Sequence, residues 1–164
     1  AVSNISPERL KESLEFSDKN NLSKYQALQP LYNLVERKGY ETNYAPIVAE
    51  HQLTVFPYSA LASGFLSGKY RSEADFNKSP RGQGAANYLN ENGLNVLNAL
   101  DQIAEKHQTA PAAVSLAWLS AQPNIGGPIA SATSKGQLTE ILSSTTLQVD
   151  DADLALLDKV SKSK

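Results

Sequence analysis

Residues 55 to 70 read VFPYSALASGFLSGKY, and this stretch carries most of the information about the fold. Val55 and Phe56 indicate a short strand that stops at Pro57, and a loop of small and hydroxyl residues follows as far as Lys69. Small residues let a ligand approach the backbone, and N–H groups beside a lysine suit a phosphate. Tyr58, placed where the strand stops, can offer its flat face to a planar ring. On composition alone, the alternative is a glycine-rich turn with a buried tyrosine.

The composition is that of an ordinary globular protein. The chain has 164 residues, 41% hydrophobic and 20% charged, with a net charge of −2, so neither nucleic acid nor an anionic membrane is a favoured partner. No apolar run approaches the roughly 20 residues of a membrane helix. The absence of cysteine excludes disulfides and thiolate metal sites, and nothing points outside the cytoplasm. The chain has no Met and opens within what looks like a strand end, so we expect it to be a piece of a longer protein.

Short apolar runs alternate with helical patterns along the chain. A helix should begin at Ser6-Pro7-Glu8, where Ser6 can cap and Pro7 fits the first turn, and should end at Asn20-Asn21. After the strand end at the start of the chain, three further strands are predicted, at 25–28, 53–56 and 129–130. Five further helices are predicted, at 40–51, at 94–104, from Pro111, at 137–143 and at 150–160. A polar, glycine-rich loop without clear periodicity spans 71–92, and the tail 161–164 should fray. Strands separated by helices favour an α/β fold with a parallel sheet.

Several motifs in order resemble the aldo-keto reductases, which carry NADPH on a (β/α)8 barrel. YSALASGFLSGKY, from Tyr58, is similar to the family's YSPLxxGxLTGKY loop. Further matches lie at Val2-Ser3-Asn4, at Gln29-Pro30-Leu31-Tyr32-Asn33-Leu34 and at Ser131-Ala132-Thr133-Ser134. A closed barrel has eight strands and only about four are expected here. The chain therefore resembles the C-terminal half of such a TIM barrel, with strands about 5 to 8 and their helices.

The resemblance implies a role for the polar residues that end each strand. Ligands of these barrels bind at the C-terminal ends of the strands. Ser3, Asn4 and Gln29 match the residues that hydrogen-bond the nicotinamide carboxamide, and Tyr58 matches the aromatic that stacks on the nicotinamide ring. The segment over the pyrophosphate corresponds to Ser59, Leu61, Ser63, Gly64 and Lys69, with Arg81 as a further phosphate clamp. The set around the adenosine and its 2′-phosphate corresponds to Ser131, Thr133, Gln137 and Glu140.

Two residues depart from the family pattern. Ala60 stands where a proline is usual, which should loosen the pyrophosphate loop. Ile141 stands where an asparagine commonly contacts the adenine, so that contact should be missing. NADP is therefore the expected cofactor, with NAD as the alternative. No His or carboxylate pair has metal-ligand spacing, so no metal is expected.

The catalytic residues of the resembled family are absent from this chain. They are an aspartate, a tyrosine that acts as general acid, a lysine and a histidine, all from the first half of the barrel. His51 and His107 do not match them, and we expect both to be structural or solvent-facing. We therefore expect an NADPH-dependent oxidoreductase that reduces small aldehydes or ketones as the full-length protein, with this chain alone inactive. The alternatives are a non-enzymatic nucleotide-binding or regulatory module and a truncated, inactive product. The expected partner is the missing N-terminal half or a second copy.

Overall fold

The structure is a computed structural model that describes residues 1 to 162, apart from the side chain of Lys78. Three short strands lie side by side in one parallel sheet, in the order β1 (Val2–Ser3), β2 (Ala27–Gln29) and β3 (Thr54–Val55). Val2 pairs with Leu28, and Leu28 pairs in turn with Val55. The helices are α1 (Pro7–Lys19), α2 (Lys38–Asn43), α3 (Ala45–His51), α4 (Gly82–Ala85), α5 (Glu91–Lys106), α6 (Pro111–Ser120), α7 (Lys135–Ser143) and α8 (Asp151–Ser161).

Local signals set most helix starts. The Ser6 hydroxyl accepts a hydrogen bond from the Arg9 N–H at 3.2 Å, and Pro7 follows in the first turn, so α1 begins where its cap predicts. Asp150 caps α8 in the same way by accepting from the Asp153 N–H at 2.9 Å. All eight residues from Ala112 to Leu119 in α6 are buried, so this helix lies at the centre of the helical layer. α5 packs against both α6 and α8.

The two faces of the sheet differ in their exposure. Leu28 and Val55, adjacent in register, are buried against the helices. Side chains alternate between faces along a strand. On the opposite face Gln29, Thr54 and Phe56 are exposed. The fold is thus a parallel α/β sheet with helices on one face, as in part of a barrel.

The fourth predicted strand, 129–130, is wrong. No strand is assigned there, and the chain joins the sheet earlier, through an isolated parallel bridge between Ile125 and Val55. Gly126 allows this approach because a Cβ at this residue would lie 2.5 Å from the Thr54 methyl group. Pro128 then offers no N–H to continue a ladder, although the Ile129 N–H still donates to the Pro57 carbonyl at 2.8 Å.

Three other predictions need correction. The helix predicted over 40–51 is two helices, because Pro46 lies in the first turn of α3 and has no N–H to extend α2. The segment predicted as a loop over 71–92 contains 3₁₀ turns at Glu73–Lys78 and Ala86–Tyr88 around α4, and α5 begins within it at Glu91. In the tail, Ser161 is buried as the last residue of α8, and residues 163 and 164 lie outside the described part of the chain.

Candidate functional site

Residues from the ends of all three strands meet at one cavity. Asn4 follows β1, Gln29 ends β2 and Tyr58 lies just beyond β3, and all three line a cavity of about 360 Å³. The sheet brings them together because parallel strands in register end at the same edge. Ser3, the other residue predicted to contact the nicotinamide, is outside the cavity lining, but its hydroxyl donates to the Gln29 carbonyl at 2.9 Å.

Tyr58 is fixed by its backbone and keeps its ring partly exposed. Its N–H donates to the Pro30 carbonyl at 3.0 Å, and it forms a parallel bridge with Leu31. The side chain is half-buried at the cavity. A ring held in this way can stack on a planar group without ordering a mobile loop.

The cavity is also lined by residues that the sequence did not identify as site residues. Glu36 lies at the end of the loop after β2, Tyr40 lies within α2, and Tyr44 lies at the α2–α3 junction. The Tyr44 hydroxyl donates to the Ile5 carbonyl at 2.7 Å. Burial raises the pKa of Tyr44, and it raises the pKa of Tyr40 to about 12, so both rings stay neutral at neutral pH. The sequence offered one signal for Glu36 as a site residue: it lies two residues after Leu34, the end of a segment that resembles the family motif.

The segment after Tyr58 has an unusual backbone. Ser59, Ala62 and Ser63 have φ of 55°, 49° and 58°, and Gly64 has φ of 88°. Left-handed backbone is disfavoured for residues with a Cβ and clusters at functional sites. The sequence predicted a ligand-approach loop here, but it did not predict that non-glycine residues would adopt this conformation.

Lys69 folds back over this segment. A Cβ on Gly64 would lie 3.2 Å from the Lys69 ammonium nitrogen, which also sits 5.0 Å from the centre of the Tyr70 ring. The loop therefore has a cation directly above a glycine backbone. Leu61, which precedes the 3₁₀ turn Ala62–Ser67, is half-buried.

The long loop reaches the segment that follows the Ile125 bridge. The Arg81 guanidinium donates to the Ser131 hydroxyl at 3.5 Å, and both residues are exposed. The structure thus places one cation from the 71–92 loop beside the first residue of the predicted adenosine set. Neither residue lines the cavity around Tyr58.

The rest of the predicted adenosine set surrounds the start of α7. The Gln137 amide oxygen accepts from both the N–H and the hydroxyl of Thr133, at 2.9 and 3.0 Å. Ser134 caps the helix by accepting from the Gln137 N–H at 3.3 Å. Glu140, one turn further along α7, is exposed. None of these residues lines the cavity around Tyr58.

Both histidines have structural surroundings. His107 Nε2 lies 2.7 Å from the Asp153 carboxylate, which joins the end of α5 to α8. His51 has a buried Nε2 without a hydrogen-bond partner, and its Nδ1 lies 3.8 Å from Asp18. Within residues 1 to 162, no three His, Asp or Glu side chains are grouped so as to hold a metal ion. No helix in the same range is long and apolar enough to cross a membrane.

Comparison with known proteins identifies the family. The chain is 31% identical over 117 residues to a probable voltage-gated potassium channel subunit beta of Arabidopsis thaliana, covering 68% of this chain and 36% of that protein. It is 28% identical over 167 residues to Protein tas of Escherichia coli, covering 97% and 46%. The aldo-keto reductase yakc [NADP(+)] of Schizosaccharomyces pombe is 31% identical over 106 residues, covering 63% of this chain and 31% of that protein.

A solved structure has the same fold. The crystal structure of a thermostable aldo-keto reductase with the inhibitor epalrestat superposes with a TM-score of 0.69 at 24% identity, over 98% of this chain and 47% of that one. This chain therefore spans about half or less of the length of the proteins that it matches. The model of the aldo/keto reductase family matches residues 1 to 162. The chain belongs to the aldo/keto reductase family.

Proposed function

We propose that this chain is the cofactor-binding, C-terminal half of an NADPH-dependent cytoplasmic aldo-keto reductase that reduces aldehydes and ketones to alcohols. The observation that carries the proposal is that Asn4, Gln29 and Tyr58 line one cavity at the ends of neighbouring parallel strands. An amide pair beside a partly exposed aromatic ring fits a nicotinamide, since a carboxamide needs both donors and acceptors and its ring needs a flat surface.

At the nicotinamide end, each residue has a distinct task. The side-chain amides of Asn4 and Gln29 orient the carboxamide, and Ser3 steadies Gln29 through its hydrogen bond to the Gln29 carbonyl. Tyr58 covers one face of the ring, which leaves the other face open to the carbonyl substrate. When bound, NADPH supplies the hydride that reduces that carbonyl.

The phosphates are bound by the segment after Tyr58. Ser59, Leu61, Ser63 and Gly64 belong to a turn of mainly small residues, which lets a phosphate approach the backbone. The N–H groups of Ala62 and Gly64 are bonded within this turn, so the charge for the phosphates comes from Lys69, close to Gly64. Arg81 adds a second cation next to Ser131.

The adenosine is bound where α7 begins. Ser131, Thr133, Gln137 and Glu140 form the contact surface, with Lys135 one residue beyond the Ser134 cap. A positive helix terminus and a nearby cation favour a 2′-phosphate, and hence NADPH over NADH. Ile141 offers no polar contact to adenine, so this end of the site should add less affinity than in relatives with an asparagine.

A fluorescence titration of the intact protein with NADPH and with NADH tests the site. We expect saturable NADPH binding and weaker NADH binding. Tyr58→Ala should weaken NADPH binding about tenfold, because stacking on an aromatic ring contributes roughly 1–3 kcal/mol per base. The matched control is Tyr25→Ala, which removes a tyrosine outside the cavity. An unchanged NADPH affinity in Tyr58→Ala would refute the stacking role.

The exposed face of the sheet supports a proposal about the partner. Gln29, Thr54 and Phe56 are uncovered, and β1 is paired with β2 on one side only. Exposed strand edges and apolar faces favour further pairing. We therefore propose that the N-terminal half of the barrel, or failing that a second copy, covers this face. Light scattering of the 164-residue chain by itself should give a dimer or an aggregate, and a monodisperse monomer with a cooperative melt would contradict the proposal.

The aldo-keto reductase proposal also places the catalytic tetrad N-terminal to this chain. The intact protein should have nearly twice the 17.7 kDa mass of the chain and should oxidise NADPH with a generic aldehyde. A second candidate is a non-enzymatic, nucleotide-binding subunit, which is favoured by the 31% identity to proteins named as potassium channel subunits. NADPH binding without turnover at the larger mass would support that candidate instead.

A further inference from the structure

Asn33 joins two loops that meet at the nicotinamide end of the proposed site. Its side chain is buried, with 1% exposure, in the loop between β2 and α2. Its Nδ2 donates to the Ser59 carbonyl at 3.0 Å, across 26 residues of sequence. Its Oδ1 accepts from the N–H groups of Val35 and Glu36, at 2.9 and 3.0 Å. One amide thus holds its own turn and the neighbouring loop at the same time.

The bond to Ser59 reaches the start of the left-handed segment. Ser59 directly follows Tyr58 and has φ of 55°, and its carbonyl also accepts from the Ala62 N–H at 2.8 Å. Non-glycine residues persist in this conformation only where their surroundings hold them there. Asn33 supplies such a constraint from outside the segment, at the residue next to Tyr58.

The turn that carries Asn33 is itself anchored to the helical layer. Arg37, four residues later, is buried and donates to Asp158 of α8 at 2.7 Å. Glu36, between them, lines the cavity with Tyr58. Asn33 therefore connects a firmly held part of the fold to the backbone that carries the Tyr58 ring.

We propose that Asn33 is a positioning residue for the nicotinamide end of the site. By holding the Ser59 carbonyl, it sets the Tyr58 ring relative to Gln29 and fixes the first residue of the phosphate-binding turn. Asparagine suits this task because one planar group both donates to Ser59 and accepts from the turn. This inference rests on the proposed NADPH-binding function. A merely structural Asn33 would affect stability and leave the affinity of the folded protein unchanged.

Asn33→Asp in the intact protein isolates the bond to Ser59, since aspartate keeps both acceptor bonds and lacks the donor. We expect NADPH affinity to fall about fivefold to tenfold, as for the loss of one buried hydrogen bond. The matched control is Asn20→Asp, because the exposed Asn20 also donates its Nδ2 to a backbone carbonyl, that of Phe16 at 2.8 Å, and does not line the cavity. The control should bind NADPH with unchanged affinity.

Asn33→Ser provides a second variant that introduces no buried charge. Serine can still accept from the N–H groups of the turn but is too short to reach Ser59. Asn33→Ser should show the same fivefold to tenfold loss of NADPH affinity. It also provides the test if Asn33→Asp does not fold. If a folded Asn33→Ser or Asn33→Asp binds NADPH as tightly as the original protein, the positioning role is wrong.

Hydrogen exchange separates this inference from the proposed function. Both Asn33 variants should speed amide exchange at Ala62 and Gly64, whose N–H groups bond within the turn, without affecting exchange in α5. If the original protein does not bind NADPH, the proposed function fails, and the exchange result alone decides whether Asn33 holds the turn. Unchanged exchange at Ala62 and Gly64 would overturn the inference.

Discussion

The α5–α8 interface and the segment from Tyr58 to Gly68 use polar residues in opposite ways. At the interface, the Lys106 ammonium bonds to Asp150 and Asp153 at 2.6 and 2.8 Å, and His107 bonds to the other oxygen of Asp153. In the second segment, hydroxyl residues occupy left-handed backbone beside a cavity.

The difference separates polar groups that stabilise the fold from those that shape a site. At the interface Lys106 pairs with both Asp150 and Asp153, and the backbone is ordinary helix with a capping box at Asp150. In the Tyr58–Gly68 segment, several residues adopt a conformation that lowers stability, and neighbours such as Asn33 hold them in place. We therefore expect substitutions in the helical layer to cost stability and substitutions in the segment to alter binding.

The largest expected effect is at Arg37, in the helical layer. Its buried guanidinium donates to Glu41 at 2.7 Å and to Asp158 at 2.7 Å and lies 4.9 Å from the Trp118 ring centre. Burial lowers the pKa of Arg37, but the bonds to both carboxylates outweigh burial and raise it overall. Arg37→Met should lower the free energy of unfolding by about 2–3 kcal/mol, because it removes hydrogen bonds to two carboxylates that, at 34% and 38% exposure, stay partly solvated.

Urea denaturation of Arg37→Met beside Arg9→Ala measures this effect. Arg9 pairs with Glu12 on the exposed side of α1, so its removal should change stability by less than about 1 kcal/mol. Equal losses in the two variants would show that the helical layer does not depend on its buried charge.

A smaller effect, with a defined pH dependence, is expected at Asp153. Burial raises the pKa of this carboxyl, but hydrogen bonds from Lys106 and His107 outweigh burial and lower it overall. Because the folded state binds this proton less tightly than the unfolded state, the stabilisation is present above about pH 4 and is lost as pH falls below it. Asp153→Asn should lower the free energy of unfolding at pH 7 by about 2 kcal/mol.

Denaturation between pH 3 and pH 7 measures both the loss of stability at pH 7 and its dependence on pH. The range spans the ordinary carboxyl pKa of about 4. The original protein should lose more stability on acidification than Asp153→Asn does. The control Asp151→Asn, at an exposed position in the first turn of α8, should cost only about 0.5 kcal/mol. If Asp153→Asn loses stability with acid as steeply as the original protein, Asp153 is not a source of the pH dependence.

The smallest expected effect is a gain in stability, at Ser63. Ser63→Gly should raise the free energy of unfolding by about 0.5–1 kcal/mol, because glycine adopts a φ of 58° without strain. The same substitution in ordinary helix, Ser17→Gly in α1, should lower it by about 0.5 kcal/mol. Thermal melts of the two variants make the comparison, and two changes of the same sign would mean that the segment is not strained.

The sequence predicted the helical elements better than the strand that closes the sheet. Ser6 marked the start of α1, Asp150 or Asp151 was the predicted cap of α8, and Leu94, Leu97 and Leu100 marked the stripe of α5. The segment near Ile129 was misplaced, because its pairing depends on a close approach between Gly126 and Thr54 that periodicity does not reveal.

The site could be predicted in part. The strand-end positions of Asn4, Gln29 and Tyr58 followed from the motifs, and the cavity that they line agrees with one shared edge. Glu36 and Tyr44 were missed as cavity residues, because they come from a loop and a helix junction whose fold around the strand ends has no local signature.

By itself, the sequence determined the features that depend on nearby residues: the caps, the apolar stripes and the motifs of the family. Tertiary structure alone decided that Asn33 holds Ser59 and that Arg37 meets Asp158, 121 residues away. The reason is physical. A cap or a helical turn is satisfied by the local chain, whereas a buried amide or guanidinium finds its partners only after the sheet and helices have packed.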